Sequence, residues 1–191
     1  GWHWFKQVRA TDKSSSGYKI RFNLEKVNSY MHAIIPASVK EREVSLAKGP
    51  SAPGVSHGYD KTDNQIMTIR HFGEAWNNAY IVVYEPSKLA EGNVKHSELL
   101  TQNGKVIGAI VESFNEGTKI RDIIVLQDNS DASTNLPELG LKFKGRAAIV
   151  RTLHKPNQNQ EHTLYIGDGE LLEFQGHVLE AKENRKAVMA I

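Results

Sequence analysis

The chain has 191 residues, enough to bury a substantial core in one large all-β domain or two small sheets. Its 24 basic and 22 acidic residues leave a formal charge of +2, too weak a field to draw in nucleic acid, and no dense basic run with interleaved aromatics suggests a nucleic-acid partner. Cysteine is absent, which excludes disulfides, thiolate zinc sites and cysteine nucleophiles. No apolar stretch approaches the length needed to cross a bilayer, so no membrane partner is expected.

At the N-terminus, Trp2 and Trp4 alternate with His3 in a strand-like run without the basic-then-apolar order of a signal peptide. An absent initiator methionine and the early strand pattern suggest a piece of a longer polypeptide. Residues 18–24 alternate cleanly, with Tyr18, Ile20, Phe22 and Leu24 on a dry face and Lys19, Arg21 and Asn23 on a wet one. Strands are predicted at 31–35 and 43–47. The loop 48–58 follows, restrained by Pro50 and Pro53.

Residues 67–71 and 79–85 read as two strands rich in Ile, Val, Thr and Tyr around a polar aromatic turn. That turn suits exposed functional groups. Residues 87–102 are predicted to hold a helical turn or two, which Gly92 keeps short. Further strands are predicted at 106–113, 120–127, 141–143, 147–153, 163–166, 171–174 and 177–181. Asn103-Gly104, Asn115-Glu116-Gly117 and Gly167-Asp168-Gly169 are read as hairpin turns, which makes antiparallel pairing the default. Residues 128–135 read as a solvated connection. The fold class is therefore all-β, an antiparallel β-sandwich of one or two stacked sheet subdomains, divided as 1–130 and 131–191 or continuous.

Several residues carry chemistry. His71, Glu74 and Trp76 form a candidate sugar-contacting edge, the indole stacking on a pyranose face while the other two bind hydroxyls; the alternative is that Trp76 caps a sheet and His71 ends a strand. The eight histidines are scattered, and a metal site, if one converged, would draw on His32, His57 and His71 with Asp60 or Asp63. No metal or cofactor is expected. Acid/base chemistry within the chain would fall to Tyr59, Tyr80 or Tyr84 with His57 or His71, although Tyr80 and Tyr84 lie in an apolar run that suggests packing. Lys142, Lys144, Arg146 and Arg151 read either as an anion-attracting row or as a solvated strand face.

Residues 4–8 (WFKQV), 42–44 (REV), 70–76 (RHFGEAW) running into 80–86 (YIVVYEP), and 143–150 (FKGRAAIV) with 165–169 (YIGDG) carry a likeness that spans most of the chain. On these residues the chain resembles the C-terminal β-sheet region of heparinase II/III-type polysaccharide lyases. The resemblance implies a β module behind a missing N-terminal catalytic domain of helical toroid form, in a periplasmic or secreted enzyme that cleaves an acidic polysaccharide by β-elimination. In that family the proton-transfer groups come largely from the toroid and from the face of the central sheet that meets it; this sequence shows no toroid, and the resemblance transfers no catalytic tyrosine to any position here. It implies a scaffold that contacts the uronic-acid polymer; an autonomous carbohydrate-binding module and a small independent lyase are the alternatives.

Overall fold

The computed structural model describes residues 5–10, 18–23, 28–34, 42–50, 63–72, 80–182 and 185–191. The chain divides into two compact units, Gly1–Ser16 with Ile35–Asn78, and Gly17–Ile34 with Ala79–Ile191. The described residues are almost entirely strand, as the sequence pattern predicts, and all pairing is antiparallel in three sheets. Residue 130 lies in the second unit, which has a sheet whose strands come from both sides of it.

In the first unit, β1 (Lys6–Ala10), β4 (Arg42–Pro50) and β5 (Asp63–His71) form a sheet in the order β1-β4-β5. Glu43, Ser45 and Ala47 pair across with Arg70, Thr68 and Ile66, and so share one face with them; Arg42 and Val44 pair with His71 and Ile69 on the other. Val44 and Arg42 are both buried, Arg42 completely.

In the second unit, β2 (Tyr18–Asn23), β3 (Asn28–Ile34) and β6 (Ile81–Ser87) form a small sheet in the order β2-β3-β6. The alternation read from 18–24 is present: Tyr18, Ile20 and Phe22 are partly buried, whereas Lys19 and Arg21 are exposed. A connector at 88–93 then leads to the larger sheet. It comprises β7 (Val94–Gln102), β8 (Lys105–Asn115), β9 (Thr118–Leu126), β10 (Ser133–Leu136), β11 (Leu141–His154), β12 (Glu161–Phe174), β13 (His177–Glu180) and β14 (Ala187–Ala190). The helical turn expected in 87–102 is a correction: β7 pairs with β8 along its length, and ladder hydrogen bonds prevail over the local leucine spacing.

Two long strands organise this sheet. β11 pairs with β10 through residues 141–144 and with β9 through residues 147–154, while β12 pairs with β14 through its first half and β13 through its second. The register between β11 and β12 shifts at Lys144, Gly145 and Ala147. Along β11 the buried positions are Leu141, Phe143 and Gly145 before the bulge and Ala148, Val150 and Thr152 after it. The extra residue keeps apolar side chains on the inner side while the strand bends. Leu141, Phe143, Leu172 and Phe174 from one half and Val150, Ile123, Leu164 and Ile166 from the other consequently enter one core.

Gly167-Asp168-Gly169 is therefore not a hairpin; it lies inside β12 at this bend, and Gly169 opposes Gly145. The hairpins at Asn103-Gly104 and Glu116-Gly117 are present, each with positive φ at both residues, as tight two-residue connections require. The turn at Gln175-Gly176, between β12 and β13, has the same signature.

Candidate functional site

The first unit carries a groove of about 730 Å³ lined by Phe5, Val8, Glu43, Ser45, Thr68, Arg70 and His71, among others. The strand pattern of 42–47 and 66–70 builds it: alternate residues bring Glu43, Ser45, Thr68 and Arg70 to one sheet face, and Phe5, Val8 and Ile66 supply apolar wall. Ser45 Oγ donates to Glu43 Oε1 at 3.1 Å. The Arg70 guanidinium stands 4.9 Å from the centre of the Phe72 ring, an arrangement that orients its donors, and among the described residues it forms no ion pair with a carboxylate. A groove with an aromatic wall, a guanidinium, a carboxylate and two hydroxyls suits a sugar ring bearing an acidic group.

His71 ends β5 beside this groove and is half-buried. Burial first, and the positive charge of Arg42 second, hold its imidazole below the ordinary value of 6.5, so it favours the neutral form, with one donor and one acceptor nitrogen. Glu74 and Trp76, the other two members of the expected sugar-contacting edge, lie outside the described residues, as do Trp2, His3, Trp4, His57, Tyr59 and Asp60. Arg42 was missed by sequence reasoning. Its signal was available: it shares strand parity with Val44, so a cation falls on the apolar side of β4.

Asp63 opens β5 in the first unit, and the second unit holds His32, Tyr80 and Tyr84. His32 is buried and its Nε2 lies 3.0 Å from Glu85 Oε2, so this imidazole is engaged in a structural pair. Among the described residues no group of three His, Asp or Glu side chains is disposed to hold a metal ion. Tyr80 and Tyr84, expected to pack, are instead 53% and 68% exposed, which corrects that expectation: Tyr84 stands on the outer side of β6 and Tyr80 just before the strand begins.

The basic row on β11 proves to be a set of cross-strand ion pairs. Lys142 meets Glu173 at 3.0 Å, Lys144 meets Glu170 at 2.6 Å, and Arg151 grips Asp122 with two bonds of 2.8 Å. Arg146 stands 3.8 Å from Asp168, which also accepts a 2.9 Å bond from Arg185. The solvated-face reading of these residues fits this geometry better than an anion site.

The described residues define an all-β protein of antiparallel sheets with a polar, aromatic groove on one sheet face. Residues 94–191 match the family described as the endo-acting ulvan lyase C-terminal domain, and the chain belongs to that family. A curated relative, an endo-acting ulvan lyase of Formosa agariphila, is 30% identical over 182 residues, which cover 95% of this chain and 22% of the relative. The chain thus spans about a fifth of the length of that polysaccharide lyase. No solved structure matches the chain. Among the described residues no helix is long and apolar enough to cross a membrane.

Proposed function

We propose that this chain is a non-catalytic β module of a heparinase II/III-like polysaccharide lyase, one that supports a separate catalytic domain and contacts an acidic polysaccharide. The polymer in question is ulvan or a related uronic-acid glycan, and the parent enzyme acts in the periplasm or outside the cell. Supporting this is the membership of residues 94–191 in the C-terminal domain family of an endo-acting ulvan lyase, with the relative extending far beyond the matched region. The groove adds the chemistry. Arg70 would meet a uronate carboxylate, Glu43, Ser45 and Thr68 would bind hydroxyls, and His71 with Glu74 and Trp76 would extend the contact along the polymer.

Affinity electrophoresis through gels containing ulvan tests this reading. The chain is expected to be retarded, and Arg70→Ala combined with Trp76→Ala to migrate freely. The ultraviolet absorbance of unsaturated uronate should stay flat when the chain alone is mixed with polymer. Unretarded wild-type protein would overturn the polymer contact, and a rising absorbance would overturn the non-catalytic role.

A further inference from the structure

The connector at 88–93 collects cations. Lys19 Nζ donates to the carbonyl of Glu91 at 2.6 Å, Arg21 to that of Ala90 at 3.4 Å, and Lys95 to that of Gly92 at 3.0 Å. Two side chains from β2 and one from β7 thereby converge on the carbonyl oxygens of three successive residues. Among the described residues none of the three forms an ion pair with a carboxylate. Lys88, exposed on the same connector, adds a fourth positive charge to the segment. The acidic groups here are Glu91, which is exposed, and Glu85, which is buried and committed to the Asn93 amide and His32.

The connector is held from beneath. The Tyr30 hydroxyl donates to the carbonyls of Leu89, at 2.8 Å, and Ala90, and the Leu89 amide donates to Ser87 Oγ at 3.1 Å. Lys19 also stands 5.0 Å above the Tyr30 ring. Three like charges gathered on neutral oxygens repel one another, and an anion placed among them would relieve that repulsion while meeting donors already in position.

We propose that Lys19, Arg21 and Lys95, drawn together on the carbonyls of residues 90–92, form a binding site for an anionic group of an acidic polysaccharide, either a uronate carboxylate or a sulfate ester. This rests on the reading above that the module contacts such a polymer, but it assigns a second, separate contact. The side chains come from an exposed surface, which suits an extended chain rather than an enclosed small molecule.

The test compares the wild type, the groove variant Arg70→Ala/Trp76→Ala, the triple variant Lys19→Ala/Arg21→Ala/Lys95→Ala and the charge-preserving variant Lys19→Arg/Lys95→Arg. Each is first shown by circular dichroism to be folded. Binding is measured at low and high salt to heparin, polygalacturonate, dextran sulfate, neutral dextran and polyglutamate. The triple variant should lose roughly tenfold or more in affinity for an acidic polysaccharide and most of its salt dependence, while the charge-preserving variant keeps both. Polygalacturonate and dextran sulfate separate carboxylate from sulfate recognition. Equal binding by the triple variant and the wild type would overturn the proposal and leave the groove reading standing. Equal binding by the groove variant and the wild type, with loss in the triple variant, would uphold it and remove the groove. Tight binding of polyglutamate alone would overturn it in favour of an acidic protein partner, and no binding of any polymer by the wild type would overturn both.

Discussion

His162 and Phe174 lie near opposite ends of one 14-residue strand, yet their rings meet edge-on with centroids 5.2 Å apart. A straight strand would hold them roughly 40 Å apart at about 3.3 Å per residue, so the contact measures how far β12 turns back at its bulge. The sandwich-like core follows from that turn, because both halves of β11 and β12 then face the same interior.

The same contact makes stability sensitive to mild acid. Burial first, then the neighbouring His177 and His154, hold His162 below 6.5, and its Nδ1 is 3.0 Å from Thr152 Oγ1. A folded pKa below the unfolded one means that, as pH falls through 6.5, the unfolded chain takes up a proton that the folded chain resists. Stability is thus fully present above 6.5, declines below it, and levels off beneath the folded pKa. His71, lowered likewise, acts in the same direction in the other unit. Urea unfolding between pH 5 and 7.5 should show this decline, and His162→Asn should flatten it; an unchanged pH profile in that variant would remove His162 as the cause.

The bend needs glycine where two backbones touch. A Cβ on Gly145, whose φ is 147°, would lie 2.3 Å from the Gly169 Cα and 2.5 Å from the Asp168 carbonyl oxygen. Backbone cannot swing aside as a side chain can, so Gly145→Ala should cost about 3 kcal/mol or more and lower the melting temperature sharply. At Gly104, by contrast, nothing lies within 4 Å and only the positive φ of 76° opposes a side chain. Gly104→Ala should cost about 1 kcal/mol. Comparable losses in the two variants would contradict this account of the bend.

These glycines also show what was legible in the sequence. The alternation at 18–24 and the Asn103-Gly104 turn are local signals, and the fold keeps both. Gly167-Asp168-Gly169 has the composition of a turn, but its glycines answer to a strand that lies distant in sequence, which composition cannot reveal. Lys142, Lys144 and Arg151 likewise find their acidic partners only through cross-strand register. Ser133–Leu136 is polar enough to read as a loop and becomes a strand because β11 offers it an edge. At the candidate site, His71 stood out as a candidate from its local run, whereas the groove it lines needed β4 to pair with both β1 and β5.

Glu85 fixes the connector that carries the proposed anion site. Burial alone would push its carboxyl up, but the amides of Asn93 and Val94 and the His32 imidazole together hold it below the ordinary value of 4.5. Its stabilising effect is present above 4.5 and is lost as pH falls through the lowered pKa. Glu85→Gln keeps the shape and weakens the acceptor, so it should cost about 2 kcal/mol and speed hydrogen exchange at the Asn93 and Val94 amides. Unaltered exchange at those two amides would show that Glu85 does not hold the connector.

Arg42 offers a direct reading of the charge beside the groove. It is fully buried and faces His71 across the β4–β5 ladder, and its positive charge is the second cause of the lowered His71 pKa after burial. Arg42→Gln removes the charge while leaving a polar side chain of similar reach. The His71 titration midpoint, followed by the Hε1 proton resonance, should rise in this variant but stay under 6.5, because burial still disfavours the imidazolium. A midpoint that does not move would assign the whole shift to burial. Since Arg70→Ala removes an exposed cation on the opposite face, it should leave the His71 midpoint in place and thereby separate the charge that tunes the imidazole from the charge expected to meet the polymer.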